Sequence, residues 1–253
     1  MKHTEFWKNF RLGEELSVSG AFIYNGLRRF HELKKLDHTD DLFEVLYNLS
    51  VGFERMLKIA IVLLEHRDSN DQAAFEKSLI THNHPELLSR IKKHARLNLS
   101  TQHNDFLALL ARFYKTIRYG RFSLDSVARF HRERQELCAF LAKHLNVTFP
   151  DDPAPFGIFN EDAYRKFITG IAIKISSVLY EIDIGDIGDY LDCFQSDAAK
   201  SFVMDQLEHL YEEMPNKSAR LERMGMIGAP NVDFSDDDSE EEPDEDLEPD
   251  PDR

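Results

Sequence analysis

Apolar residues recur at steps of three and four from Leu42 to Leu64: Leu42, Val45, Leu46, Leu49, Phe53, Met56, Leu57, Ala60 and Leu64. A stripe of that length, at the period of an α-helix, must be buried against other helices, which makes an all-α fold the expectation. The residues on either side repeat the pattern. Phe6, Phe10, Leu16, Phe22, Ile23 and Leu27 predict a helix over about residues 5–35, with Gly13, Gly20 and Gly26 as places where it can break. Asp40 or Asp41 is the expected cap of the long helix.

The polar run RDSNDQ after Arg67 reads as a connector. In THNHPELL, Pro85 suits a first helical turn, with Asn83 or His84 near the cap. Phe106, Leu109, Leu110, Phe113 and Ile117 form a further stripe that ends at Gly120. Ser123 or Asp125 is expected to restart a helix carrying Val127, Phe130, Leu137, Leu141 and Leu145. NVTFPDDPAPFG, residues 146–157, holds three prolines and a glycine and reads as a linker or long loop. Beyond it, Tyr164, Phe167, Ile168, Ile171, Ile175, Val178 and Leu179 predict a regular helix, and Phe202, Val203, Leu207 and Leu210 one more. No stretch alternates as a half-buried strand does. The organisation expected is a helical bundle over 1–145, a Pro-rich linker or loop over 146–160, a helical extension packed on the bundle over 161–220, and a disordered acidic tail over 221–253.

Charge sharpens that division. The net charge is -15, yet from Asp233 onward there are 13 acidic residues and one basic, so the remaining 232 residues carry only -3. Within that body, Arg90 to Arg134 carries +8 and Glu161 to Glu213 carries -8. Opposed faces of this kind favour self-association or an anionic ligand on the basic side. Cys138 and Cys193 are the only cysteines, which form neither a disulfide framework nor a zinc set and point to the cytoplasm. The opening MKHTEFWKNF has no apolar signal region, and no run reaches the roughly 18 apolar residues of a membrane span.

The ordered arrangement of Glu54-Arg55 in GFERMLKIAIVLL, His82-Asn83 and Leu87-Leu88 in THNHPELL, and Arg118-Tyr119 at the end of a third helix resembles the HEPN family. The match runs from about Leu42 to Arg121, roughly a third of the chain. The resemblance implies a small up-and-down helical bundle, a homodimer, and an RNA-directed role in a prokaryotic defence or toxin-type system. Catalytic members carry an Arg, then four to six residues, then a His, near the end of the third helix. The His accepts a proton near neutral pH and the Arg offsets charge developing on the phosphate. Here the window after Arg118 reads Ser123, Leu124 and Asp125, and the next His after Arg121 is His131, with nine residues between. The Arg-Tyr ending resembles members that bind or regulate without the motif His.

The resulting expectation is an RNA-binding protein and, if an enzyme, a metal-independent ribonuclease without a cofactor. Arg118, Arg121 and His131 are the candidate catalytic residues. Lys115, Tyr119, Phe122, Arg129 and Arg132 are the candidate RNA contacts, since aromatic rings stack on bases and cations meet phosphates. Each has a plainer role available: a cation near a helix C-terminus offsets the helix dipole, and His131 can flank the stripe of Val127 and Phe130. His82 and His84 are expected to cap or line a loop, and Cys138 to lie in the core. Asp183, Asp186, Asp189 and Asp192 recur at every third residue, which suits a polar surface loop and not a calcium loop. The alternative reading is a non-enzymatic interaction protein that uses the acidic tail and the acidic C-terminal helices to hold a basic partner.

Overall fold

The stripe from Leu42 to Leu64 folds as one helix, Thr39–Glu65, the longest in the molecule among the described residues. A computed structural model describes residues 7–69, 71–124, 131–150 and 157–184. In chain order its helices are α1 (Leu12–Glu32), α2 (Thr39–Glu65), α3 (Gln72–Ser78), α4 (His84–Ile91), α5 (Thr101–Arg112), α6 (Arg132–Leu145) and α7 (Asp162–Ile184). A π-helical turn, Trp7–Arg11, leads into α1; another, Phe113–Ile117, extends α5 into a last α-turn, Arg118–Gly120. No strand occurs among the described residues, and the fold is all-α. None of these helices is long and apolar enough to cross a membrane.

α2 is the axis of the core and packs against α1, α4, α5, α6 and α7. Its C-terminal half carries more than a stripe: Ile59, Ala60, Ile61, Val62 and Leu63 are all buried, as a helix covered on every side requires. The predicted stripe residues Leu42 to Ala60 are buried too, and Leu64 is half-buried. The cap differs from expectation. His38 holds the N-cap position without a side-chain bond, while Asp40 and Asp41 lie in the first turn, where carboxylates complement the helix dipole. Asp41 also pairs with Arg29 of α1.

The glycines do not break α1, which runs unbroken through Gly13, Gly20 and Gly26. The α1–α2 crossing explains one of them. A Cβ at Gly26 would stand 2.8 Å from Leu49 Cγ, and one at Gly52 of α2 would stand 3.0 Å from both Ile23 N and Ser19 O. The two helices therefore approach through missing side chains. α3 starts at Gln72, the last residue of the run read as connector, and is not expected from the sequence; with Phe75 as its single buried residue it carries no stripe, but Asp71 caps it, accepting from Ala74 N–H at 3.2 Å. α4 begins with Asn83 at the N-cap and Pro85 in its first turn, as expected.

The segment after the prolines is tied to the loop that leaves α1. Leu36 N–H donates to Ile158 O (2.8 Å) and Asn160 N–H to Lys34 O (2.9 Å). The Asn160 amide donates to Phe30 O and Leu33 O, and Arg165 donates to Leu33 O, which satisfies carbonyls at the end of α1. Asp37 accepts from Ile158 N–H and from Arg134 of α6, the latter at 2.8 Å. Gly157 has φ +73°, and a Cβ there would run into the Asp37 carboxylate, so only glycine fits. From this anchor α7 enters the core with Tyr164, Ile168, Ile171, Ile175 and Leu179 buried. Val127, Arg129, Phe130, the Asp186–Asp192 run, the 202–210 stripe and the acidic tail lie outside the described residues, as do the side chains of Tyr180 to Ile184, Asp183 among them.

Candidate functional site

Three elements converge on one ring, that of Tyr114. α2 contributes Tyr47, Glu54 and Lys58, whose spacings of seven and four put them on one helix face. The loop before α4 contributes His82, and the end of α5 contributes Tyr114 and Arg118. The π-helical turn sets the register at that end: Arg118 N–H bonds back to Phe113 O, five residues earlier, while Phe113 and Ile117 stay buried. Such turns occur often at functional sites because they re-aim the residues that follow.

Glu54 is only 8% exposed. One carboxylate oxygen receives Lys58 Nζ at 2.6 Å and the other meets His82 Nδ1 at 2.8 Å. A carboxylate can only accept, so Nδ1 carries the proton in the neutral imidazole and Nε2 keeps its lone pair. The His82 side chain is 46% exposed. Its ring centroid lies 4.8 Å from that of Tyr114. The Arg118 guanidinium carbon lies 3.5 Å from the Tyr114 centroid and 4.4 Å from that of Tyr119, and Nη2 donates to the Tyr119 hydroxyl at 2.7 Å. Tyr47 closes the group from the far side, 5.9 Å from Tyr114. Burial raises the Tyr114 phenol above its ordinary pKa, against the opposing effect of Arg118, so it stays protonated.

Among the described residues no carboxylate pairs with Arg118 or with the exposed Lys115. Four other cations of the basic segment are paired: Arg90 with Glu65, Arg112 with Glu136, Arg121 with Glu133, and Arg134 with Asp37. The +8 segment is thus partly neutralised by the fold, and Lys115 and Arg118 are among its cations that keep no carboxylate partner among the described residues. Tyr119 and Phe122, one turn apart, are 58% and 89% exposed, and Leu124 follows them into solvent.

The structure separates the two arginines of the sequence reading. Arg121 lies over the Phe43 ring at 4.7 Å, donates Nε to the buried Glu133 carboxylate at 2.8 Å and Nη2 to Thr39 O at 2.9 Å. It ties the end of α5 to the starts of α2 and α6. His131 takes the N-cap position of α6 in the left-handed region, φ 69°, ψ 28°, and is half-buried. Arg132, also half-buried, comes next, with its guanidinium beside Gly120.

The remaining histidines have local tasks. His84 is buried and donates Nε2–H to Ser50 O at 2.8 Å; burial holds its pKa below 6.5, so it is neutral. His103 Nδ1 accepts from Ser100 N–H at 3.1 Å at the start of α5. His94 approaches Glu65 at 3.5 Å. Cys138 is a buried thiol whose pKa burial pushes up to about 11, consistent with a core position. Neither charge nor spacing in the sequence singles out Glu54, Lys58 or Tyr114. Glu54 and His82 appear in the motif stretches of the resemblance, but nothing local pairs residues 28 positions apart. No protein-family model, curated protein or solved structure matches the chain.

Proposed function

We propose that the chain binds single-stranded RNA on the face formed by Lys115, Arg118, Tyr119 and Phe122. One observation carries the reading: an arginine with no carboxylate partner among the described residues is stacked between two tyrosines, beside a phenylalanine that is 89% exposed. Arginine in that setting keeps its charge for a phosphate, and the exposed rings offer stacking platforms for unpaired bases. Burying Phe122 against a base removes apolar surface that water otherwise covers. The resemblance of the 42–121 region to HEPN domains, with their RNA-directed roles, supports the same reading.

Fluorescence anisotropy with a labelled single-stranded RNA of about 20 nucleotides tests it. Phe122→Ala and Tyr119→Ala each remove one stacking platform, and about 1–3 kcal/mol per stacked base predicts roughly 5- to 160-fold weaker binding. Arg118→Ala is expected to weaken binding and also to flatten its salt dependence by about one phosphate contact. Affinity unchanged in all three variants, or equal affinity for a protein of inverted charge, rejects the reading.

A further inference from the structure

We propose that residues 233–253 of this chain dock on the face formed by Lys115, Arg118, Tyr119 and Phe122 in the same molecule, so that RNA binds there by displacing them. The inference rests on the RNA-binding reading above and adds to it the regulation of that face.

The face combines open cations with uncovered rings. The Arg118 guanidinium carbon lies 4.4 Å from the Tyr119 ring, and Nη2 donates to the Tyr119 hydroxyl at 2.7 Å. Phe122 follows one turn on, its N–H donating to Tyr119 O at 3.1 Å, and Lys115 stands about one turn before Tyr119 on the same helical end. Neither cation has a carboxylate partner among the described residues. Tyr119, Phe122 and Leu124 are 58%, 89% and 91% exposed. Contiguous exposed apolar side chains beside charged ones mark a docking surface. The paired arginines Arg90, Arg112, Arg121 and Arg134 are poorer seats for an anion, since each already holds a carboxylate.

The charge that this face lacks is held in one run of the same chain. Residues 233–253 contain 13 acidic residues and one basic, while the other 232 residues carry only -3. The run, DFSDDDSEEEPDEDLEPDPDR, sets Phe234 and Leu247 among its acids, so it brings apolar side chains as well as carboxylates. With more than half of its residues acidic it is a polyanion, as a nucleic-acid backbone is, and it competes for the same cations. Length allows the contact. Residues 185–232 span about 70 Å even as one continuous helix, against about 40 Å for α2. Tethering places the run at an effective concentration on the order of 1 mM. Against a dissociation constant of about 0.1 mM, the weak end of non-specific polyanion binding, that lowers RNA affinity about tenfold.

The test uses the full chain. At low salt a water-soluble carbodiimide, which joins an amine to a carboxylate in contact with it, is expected to link Lys115 to acidic residues of 233–253, read by peptide mass spectrometry. Lys77 is the reference. It is exposed on α3, beside the C-terminal end of α2, where Phe75 meets His66, whereas the end of α5 meets the start of α2 through Arg121 and Thr39. No link is expected at Lys77. An equal mixture of heavy-isotope and unlabelled chains is expected to give links within one label only, and the single-stranded RNA used above is expected to suppress them. A full-length variant with the 13 acidic residues of the run changed to Asn or Gln is expected to bind that RNA about tenfold more tightly by anisotropy at about 50 mM salt, with the difference closing near about 500 mM. Three results overturn this inference and leave the binding reading standing: equal affinity of wild type and variant, links at Lys77 as frequent as at Lys115, or links only between differently labelled chains. Affinity that rises in the variant while the wild type gives no Lys115 link is a long-range charge effect and also overturns the docking. A variant that binds no RNA overturns the binding reading and the competition together.

Discussion

His84 shows how one side chain couples packing to pH. It is buried under α2, where its Nε2–H donates to Ser50 O. Burial lowers its pKa from 6.5, and His103 is lowered for the same first reason. In both cases the unfolded chain takes up protons near pH 6.5 while the folded chain resists until lower pH. Their contribution to stability is therefore present above about pH 6.5 and is lost as pH falls toward the folded values. The melting temperature is expected to fall between about pH 7 and pH 5, and His84→Gln, whose amide can keep the bond to Ser50, is expected to flatten that slope. An unchanged slope rejects the assignment. Glu65 and Asp105, whose pKa values Arg90 and Lys143 lower by hydrogen bonding, act in a separate window, below their ordinary values of 4.5 and 3.8.

Between elements, the α1–α2 crossing distinguishes glycines that look alike in the sequence. A Cβ at Gly20 would have nothing within 4 Å, so Gly20→Ala gains helix propensity alone and is expected to stabilise by about 0.5–1 kcal/mol. A Cβ at Gly52 would meet the α1 backbone at 3.0 Å and Ile23 Cγ1 at 2.6 Å. Gly52→Ala has the same propensity gain but forces the helices apart, at an overpacking cost of about 1–3 kcal/mol that exceeds it. Chemical denaturation of the two variants is expected to give opposite signs. A stabilised Gly52→Ala would show that the crossing is looser than these distances.

At the scale of the whole molecule, Asp37 joins three distant parts of the chain: the loop after α1, the strand-like contact at Ile158, and Arg134 of α6. Arg134 is 4% exposed, and Asp37 is the one carboxylate paired with it among the described residues. Breaking a buried pair from one side strands the other charge. Asp37→Ala is accordingly expected to destabilise by about 3–5 kcal/mol, and the double variant Asp37→Ala/Arg134→Met by less than that single change. Thermal melts of the three proteins test this. Equal losses in the single and double variants exclude the stranded-charge explanation. The helices this clasp joins, α6 and α7, both pack against α2.

Read alone, the chain already specifies the all-α class, the long central helix, the Pro85 start of α4, the end of α5 near Gly120 and the core placement of Cys138. All of these rest on local period, turn chemistry or composition, which a linear reading can follow. It also points to Arg118 and the exposed aromatics beside it. What those residues face follows only from the packed fold. Arg121 looks equivalent to Arg118 in the chain, yet Glu133 and Thr39 tie it down, while Arg118 is stacked on tyrosines. His82 reads as a loop histidine until α2 brings Glu54 against it. Gly52 gives no sign of its role until α1 crosses it. Each of these depends on which surfaces meet across the fold, and long-range contact leaves no periodic trace in the sequence.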